Sequence, residues 1–206
     1  MTDINNSKLF IKNLKKLARL DPKLGNIIKN LDNIKQRTRE GGFPSLLRAI
    51  VGQQLSVKAA AAIWLKLENA NLTNEENIDL ASDLELRACG LSKQKIKYTK
   101  ALASQKIDYS KLESLTEGEV IGILTAVPGI GRWTAEIYLM FCLNKPDVFP
   151  SGDLALQEAT KILYLLPFRP KEKEMRELTQ KWKPFRSLAA LILWEFYAIN
   201  KNREGV

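Results

Sequence analysis

Two runs of helical apolar spacing lie a few residues apart, and the link between them holds two glycines and a proline. Val120, Ile121, Ile123 and Leu124 make the first run, and Ala135, Ile137, Tyr138 and Phe141 the second. The link, Val127-Pro128-Gly129-Ile130-Gly131, joins the two helices as a five-residue turn. Pro128 stops the first helix and fixes its own φ. The glycines permit φ > 0 and let another backbone come close. The turn also leaves the first amides of the second helix without intrahelical partners and pointing outward, an anion site that suits a phosphate. An ordinary tight helix connection carries the same Gly-x-Gly signature, and that signature alone does not separate the two readings.

Further on, Pro150-Ser151-Gly152 is a break, and Leu154 to Leu165 reads as a new helix. Asp153 therefore stands at or beside a helix N-terminus, where amides and the helix dipole favour an ionised carboxylate. Aspartate is a common N-cap, so a purely structural cap accounts for Asp153 equally well.

Charge points to a polyanion partner. Among 206 residues, 32 Lys and Arg stand against 23 Asp and Glu, for a net charge of +9. There is no histidine, which excludes histidine bases and ligands. The two cysteines, Cys89 and Cys142, lie far apart inside apolar stretches. They are too few for a four-cysteine zinc or iron–sulfur site and are expected to be reduced core thiols. Met1 to Asn6 lacks a signal-peptide pattern, and no apolar run reaches membrane-spanning length. The expectation is a cytoplasmic, monomeric protein with no membrane partner.

Along the chain, Leu9, Phe10, Leu14, Leu17 and Leu20 predict a helix from Ser7 to Leu20. Asp21-Pro22 opens a second as N-cap and first residue. Phe43-Pro44 opens a third, interrupted at Gly52-Gln53-Gln54-Leu55-Ser56. Ser56 caps an alanine-rich helix from Val57 to Leu67, whose small side chains are expected to let helices approach closely. Gln53 and Gln54 carry amides that can read or replace base edges, or that simply face solvent in a turn. Ser82-x-x-Glu85 and Thr116-x-x-Glu119 are capping boxes. Ser92 caps a helix carrying Lys93, Lys95, Lys97 and Lys100, a face either for DNA backbone or for solvent. Lys171 to Trp182 and Phe185 to Asn200 read as the last helices. The reading is all-α, with about ten helices.

Taken together, the turn and the Gly152-Asp153 step resemble the helix-hairpin-helix DNA glycosylases, closest to those of the 3-methyladenine DNA glycosylase II type. Ala49-Ile50-Val51-Gly52-Gln53-Gln54-Leu55-Ser56-Val57-Lys58-Ala59-Ala60, Cys89-Gly90-Leu91-Ser92 and Trp182-Lys183-Pro184-Phe185-Arg186-Ser187 extend the resemblance from about Phe43 to about Tyr197. It implies one glycosylase domain of two α-helical lobes with a cleft between them, approximately residues 35–145 and residues 1–34 plus 146–206. The extra N-terminal β domain of some relatives is not expected here.

The implied activity is hydrolytic release of alkylated purines, 3-methyladenine and 7-methylguanine, from double-stranded DNA. Asp153 is then the catalytic carboxylate, stabilising the oxocarbenium-like sugar and orienting water. The base leaves the stack for a pocket. Trp133 and Trp194 match the family's aromatic pocket positions, where a cationic ring stacks well. For Tyr197 an ordinary core role is favoured. A nucleophilic lysine occupies the Trp133 position in bifunctional members, so a tryptophan there implies a monofunctional enzyme. Ile137 departs from relatives that place a pocket tyrosine at that position. DNA contacts are implied for Gln53, Gln54, Leu55, Ser56, Gly129, Gly131 and Arg132, with Gln54 the first choice of wedge. The carbonyls of Thr125, Val127 and Ile130 match those that hold a structural Na+ or K+, while no cofactor is required for catalysis and no iron–sulfur cluster is expected. A non-catalytic DNA-structure-binding protein and a bifunctional glycosylase/lyase for oxidised bases remain as alternatives.

Overall fold

The structure, a computed structural model, describes residues 8–31, 34 and 38–201. The expected helix start at Ser7 and the Met1 to Asn6 segment lie outside the described residues. In chain order the α-helices are α1 (Lys8–Leu20), α2 (Pro22–Lys29), α3 (Phe43–Gly52), α4 (Val57–Asn69), α5 (Glu75–Leu80) and α6 (Asp83–Ala88). They continue with α7 (Lys93–Ser104), α8 (Glu117–Thr125), α9 (Arg132–Phe141), α10 (Leu154–Tyr164), α11 (Glu172–Leu178) and α12 (Arg186–Lys201). No strand is found among the described residues, and the fold is all-α.

Local chemistry explains most helix starts. Ser56, Ser82, Ser92, Thr116 and Asp153 each accept a backbone N–H from the first turn of their helix. Glu85 and Glu119 complete the two capping boxes by accepting from the cap residue's own N–H. Helix α5 has the same logic, with Asn74 capping Asn77 N–H, but it is only six residues long and its apolar spacing does not announce it. Lys171 to Trp182 divides into α11 and a tighter 3₁₀ turn at Thr179–Trp182.

The chain divides into two compact units. One is Arg39–Leu143. In it α3 packs on α4, α7 and α9, and α8 pairs with α9. Helix α9 is buried without interruption from Ala135 to Phe141. The alanines of α4 do not serve close packing as expected: Ala61 and Ala62 are exposed, and the helix buries only Trp64 and Leu67.

The other unit combines Met1–Thr38 with Asn144–Val206. Helix α12 packs on α10 and α2, around Leu24, Leu156, Ala159, Trp182 and Leu193. At the head of α2 the buried Asp21 accepts hydrogen bonds from Trp182 Nε1 at 2.9 Å and from the Tyr164 hydroxyl, and Lys181 Nζ lies 2.9 Å away. Burial works to raise the Asp21 pKa. The hydrogen bonds from Tyr164, Trp182 and Lys181, with the charge of Lys181, outweigh it and hold the carboxyl at about 2.

A depressed carboxylate pKa stabilises the fold above the unfolded value and loses that contribution as pH falls through the folded value. Asp21 should therefore contribute on the order of 2 kcal/mol above pH ~4, fading towards pH ~2. Denaturant midpoints measured from pH 5 to pH 2 should show this acid limb, and Asp21→Asn should flatten it. A variant that keeps the full limb contradicts the assignment.

Candidate active site

In the unit Arg39–Leu143, the turn from Ala126 to Gly131 joins α8 to α9. Gly129 has φ +90, and a Cβ there would lie 2.4 Å from Cγ and Cδ2 of the Tyr98 ring. Only glycine fits, both for its backbone and for the ring beneath it. Gly131 differs from the expectation. Its φ is −85, and a Cβ there would meet nothing within 4 Å. It is the N-cap of α9 and offers no side chain to that helix's first amides. Arg132 donates through Nε to the buried Glu136 at 3.0 Å, one turn along α9.

The turn between α3 and α4 stands beside this hairpin. Gln53 Nε2 donates to the Gly129 carbonyl at 2.7 Å. The Gln53 amide therefore already serves an intramolecular bond, which spacing could not reveal across 76 residues of sequence. Gln54 occupies the left-handed region at φ +56, and Gln54, Leu55 and Ser56 are exposed. Two lysines of the expected basic face turn inward instead. Lys95 Nζ donates to the Val51 carbonyl at 2.7 Å, and Lys100 Nζ donates to that of Ala81. They cap helix-end carbonyls, leaving Lys93 and Lys97 as the exposed cations of that helix.

A cavity of about 1110 Å³ opens in the same unit, lined among others by Gln53, Gln54, Trp133, Thr134, Ile137 and Tyr138. Trp133 is 41% exposed. The Tyr138 hydroxyl accepts the Gly42 N–H at 2.7 Å, and burial pushes its pKa up. Cys89 and Cys142 are free thiols, both with pKa raised by burial.

In the other unit Asp153 caps α10 and is 7% exposed. Its Oδ1 accepts from Leu156 N–H at 3.0 Å and from Trp194 Nε1 at 3.3 Å. The preceding turn is held on both flanks: Asp153 N–H donates to the Pro150 carbonyl at 2.9 Å, and Gln157 Nε2 to that of Ser151 at 2.9 Å. Upstream, Arg186 forms a two-pronged ion pair with Asp147 at 2.8 and 2.9 Å. Ser187 Oγ donates to the Lys145 carbonyl and accepts from Val148 N–H. Arg186 and Ser187 thus anchor the segment that delivers Asp153. Trp194 is 3% exposed. As it stands, the indole offers an N–H to Asp153 rather than a face to a ligand. Tyr197 is half-buried.

One unit thus holds a helix pair joined by a glycine turn, and the other an aspartate that caps a helix. The chain belongs to the HhH-GPD superfamily of base excision DNA repair proteins, which it matches over residues 47–185. It is 34% identical over 192 residues to DNA-3-methyladenine glycosylase 1 of Schizosaccharomyces pombe, covering 87% of this chain and 84% of that protein. The crystal structure of a DNA-3-methyladenine glycosidase from Bacillus halodurans aligns with a TM-score of 0.85 at 33% identity, over 96% of this chain and 93% of that one. The S. pombe 3-methyladenine DNA glycosylase in complex with abasic DNA aligns at 0.78 and 31% identity, over 92% and 97%.

The contrast between the two turn glycines gives a direct stability test. Gly129→Ala should cost about 1–2 kcal/mol from its left-handed backbone alone, with the Tyr98 collision added. Gly131→Ala should stay within about 0.5 kcal/mol of wild type. Thermal unfolding of both variants checks this, and equal midpoints would contradict the geometry.

Proposed function

We propose that this chain is a monofunctional DNA N-glycosylase that everts an alkylated purine, 3-methyladenine or 7-methylguanine, from double-stranded DNA and releases it by hydrolysis, initiating base excision repair. The observation that carries the reading is the Asp153 carboxylate, nearly buried at the head of α10 with two N–H donors on one oxygen. A plain cap needs the Leu156 bond alone. The Trp194 bond adds a second restraint on the carboxylate, as a fixed charge for catalysis requires. Family membership and the named relatives support the same reading.

The chemistry follows from charge. As the C1′–N bond lengthens, its electron pair moves onto the base nitrogen and neutralises the alkylated ring. Positive charge develops on the sugar, where Asp153 stabilises it. Water adds at C1′ and gives up a proton, which Asp153 is suited to direct. A cationic base leaves without prior protonation, so the lack of histidine is no obstacle. Trp133, exposed in the cavity, supplies an aromatic face for a cationic ring. Tryptophan has no amine, so no Schiff base forms there and the strand stays intact.

The hairpin grips phosphate through the N-terminus of α9, at Gly129, Gly131 and Arg132. The carbonyls of Thr125, Val127 and Ile130 would hold a monovalent Na+ or K+ beside it. The donor set fits: they are neutral oxygens at a helix C-terminus and its turn, where carbonyls run out of helical partners. That of Val127 accepts one turn hydrogen bond, from Ile130 N–H at 3.0 Å. Gln54, Leu55 and Ser56 face the DNA groove, with Gln54 as wedge.

Asp153→Asn keeps the shape and the cap but removes the charge. Base release should fall by roughly 10²-fold or more, with duplex affinity preserved. Single-turnover release from methylated DNA measures it, and near-wild-type turnover would sink the assignment.

The hairpin reading separates charge from shape. Gly131→Asp should weaken binding to all duplex sequences about equally, while Gly131→Ala should bind as wild type does. Titrations over a range of salt concentrations check this, since phosphate contacts give wild-type affinity a steep salt slope. Normal binding by Gly131→Asp contradicts a phosphate site there.

A further inference from the structure

We propose that Gln53, Lys95 and Tyr98 form a bracket that fixes the turn entering the DNA stack at a set distance from the hairpin that grips phosphate, making all three positioning residues for base eversion. The inference rests on the DNA-binding reading above. It assigns Gln53 a different task from reading DNA, because one of its amide N–H groups holds the Gly129 carbonyl within the protein.

Three contacts build the bracket. Gln53 is the C-cap of α3, and its Nε2 donates directly to the Gly129 carbonyl at 2.7 Å. Lys95 Nζ donates to the carbonyl of Val51, in the last turn of the same helix, at 2.7 Å. Tyr98, one turn further along α7, places its ring under Gly129, so closely that no Cβ fits between them. One helix thus holds both turns from below, while one amide ties them directly.

The placement goes beyond general packing. Gln54 and Leu55 are exposed, and Leu55 is 40% so, giving the turn little burial of its own to hold it. The left-handed Gln54 and the backward-facing Gln53 alternate. One side chain anchors inward while the next is left to project. Burial also lowers the Lys95 pKa, consistent with an amine that caps a carbonyl rather than meeting solvent.

Eversion gives the bracket its purpose. Unstacking a paired base costs a few kcal/mol. Phosphate binding at the hairpin can drive a wedge into the stack only if the wedge does not recoil. A tether of one hydrogen bond and one ion–dipole contact transmits that load between turns distant in sequence.

The test uses the intact chain with Gln53→Met, which keeps length but loses the donor, and Lys95→Met, with Lys95→Arg as the variant that restores a donor. The probes are duplexes with one 7-methylguanine, either paired or in a single-nucleotide bulge where it is already unstacked, and a duplex carrying 2-aminopurine beside the lesion. On the paired lesion, single-turnover release should fall about tenfold in both Met variants, the scale of an unpaired buried acceptor. On the bulged lesion it should stay within about threefold, as should affinity for undamaged duplex. Lys95→Arg should recover most of the loss. The 2-aminopurine signal on binding should be weaker in the Met variants than in wild type. Equal losses on paired and bulged lesions, or wild-type rates on the paired one, overturn the bracket. If wild type releases no base yet still raises the 2-aminopurine signal through Gln53, the glycosylase reading fails while the bracket stands.

Discussion

Gly129 lies against the ring of Tyr98, and the hairpin of the Arg39–Leu143 unit depends on that contact. The left-handed backbone at this residue turns the chain from α8 into α9. The absence of a side chain lets α7 come up beneath it. Its carbonyl, left outside either helix, takes the Gln53 amide. Behind the turn, α9 buries seven consecutive residues from Ala135 to Phe141, so the hairpin's second arm is fixed by the core rather than by its own propensity. The proposed phosphate site, made of backbone amides, would need this rigidity, since it would have no flexible side chain to adjust.

The Asp153 site rests on the same principle with opposite charge. A carboxylate brought out of water is costly unless donors replace the lost hydration. Here Leu156 N–H and Trp194 Nε1 do so on one oxygen. The turn before Asp153 is fastened by Gln157, and the segment further upstream by Arg186 and Ser187. The fold thus sets the position of the carboxyl group, which is what the proposed stabilisation of a developing cation would require. Trp194 contributes to this as a donor, although its sequence position suggested an aromatic face.

Much of this was legible in the sequence because it is local. The caps at Asp21, Ser56, Ser82, Ser92, Thr116 and Asp153 are read from residue type and spacing within one turn, and each caps its helix in the structure. The glycine turn between α8 and α9 is likewise local. What stayed hidden depends on distant partners or on direction. Nothing in Lys93 to Lys100 tells that Lys95 and Lys100 point at carbonyls of other segments. Alanines in α4 look like a packing face but largely meet solvent. The two turn glycines look alike, yet only Gly129 needs to be glycine for its conformation. The Gln53 and Trp194 bonds close loops that no periodicity encodes.

On the proposed function, the protein releases an alkylated base by hydrolysis and leaves the strand uncut. The most direct measurement is to incubate the wild-type protein with duplex DNA methylated at purines, separate the free bases chromatographically, and treat a parallel sample with borohydride. The expected products are free 3-methyladenine or 7-methylguanine and an abasic but unbroken strand, with no protein–DNA adduct. No released base, or a nicked strand with a trapped covalent adduct, would contradict it.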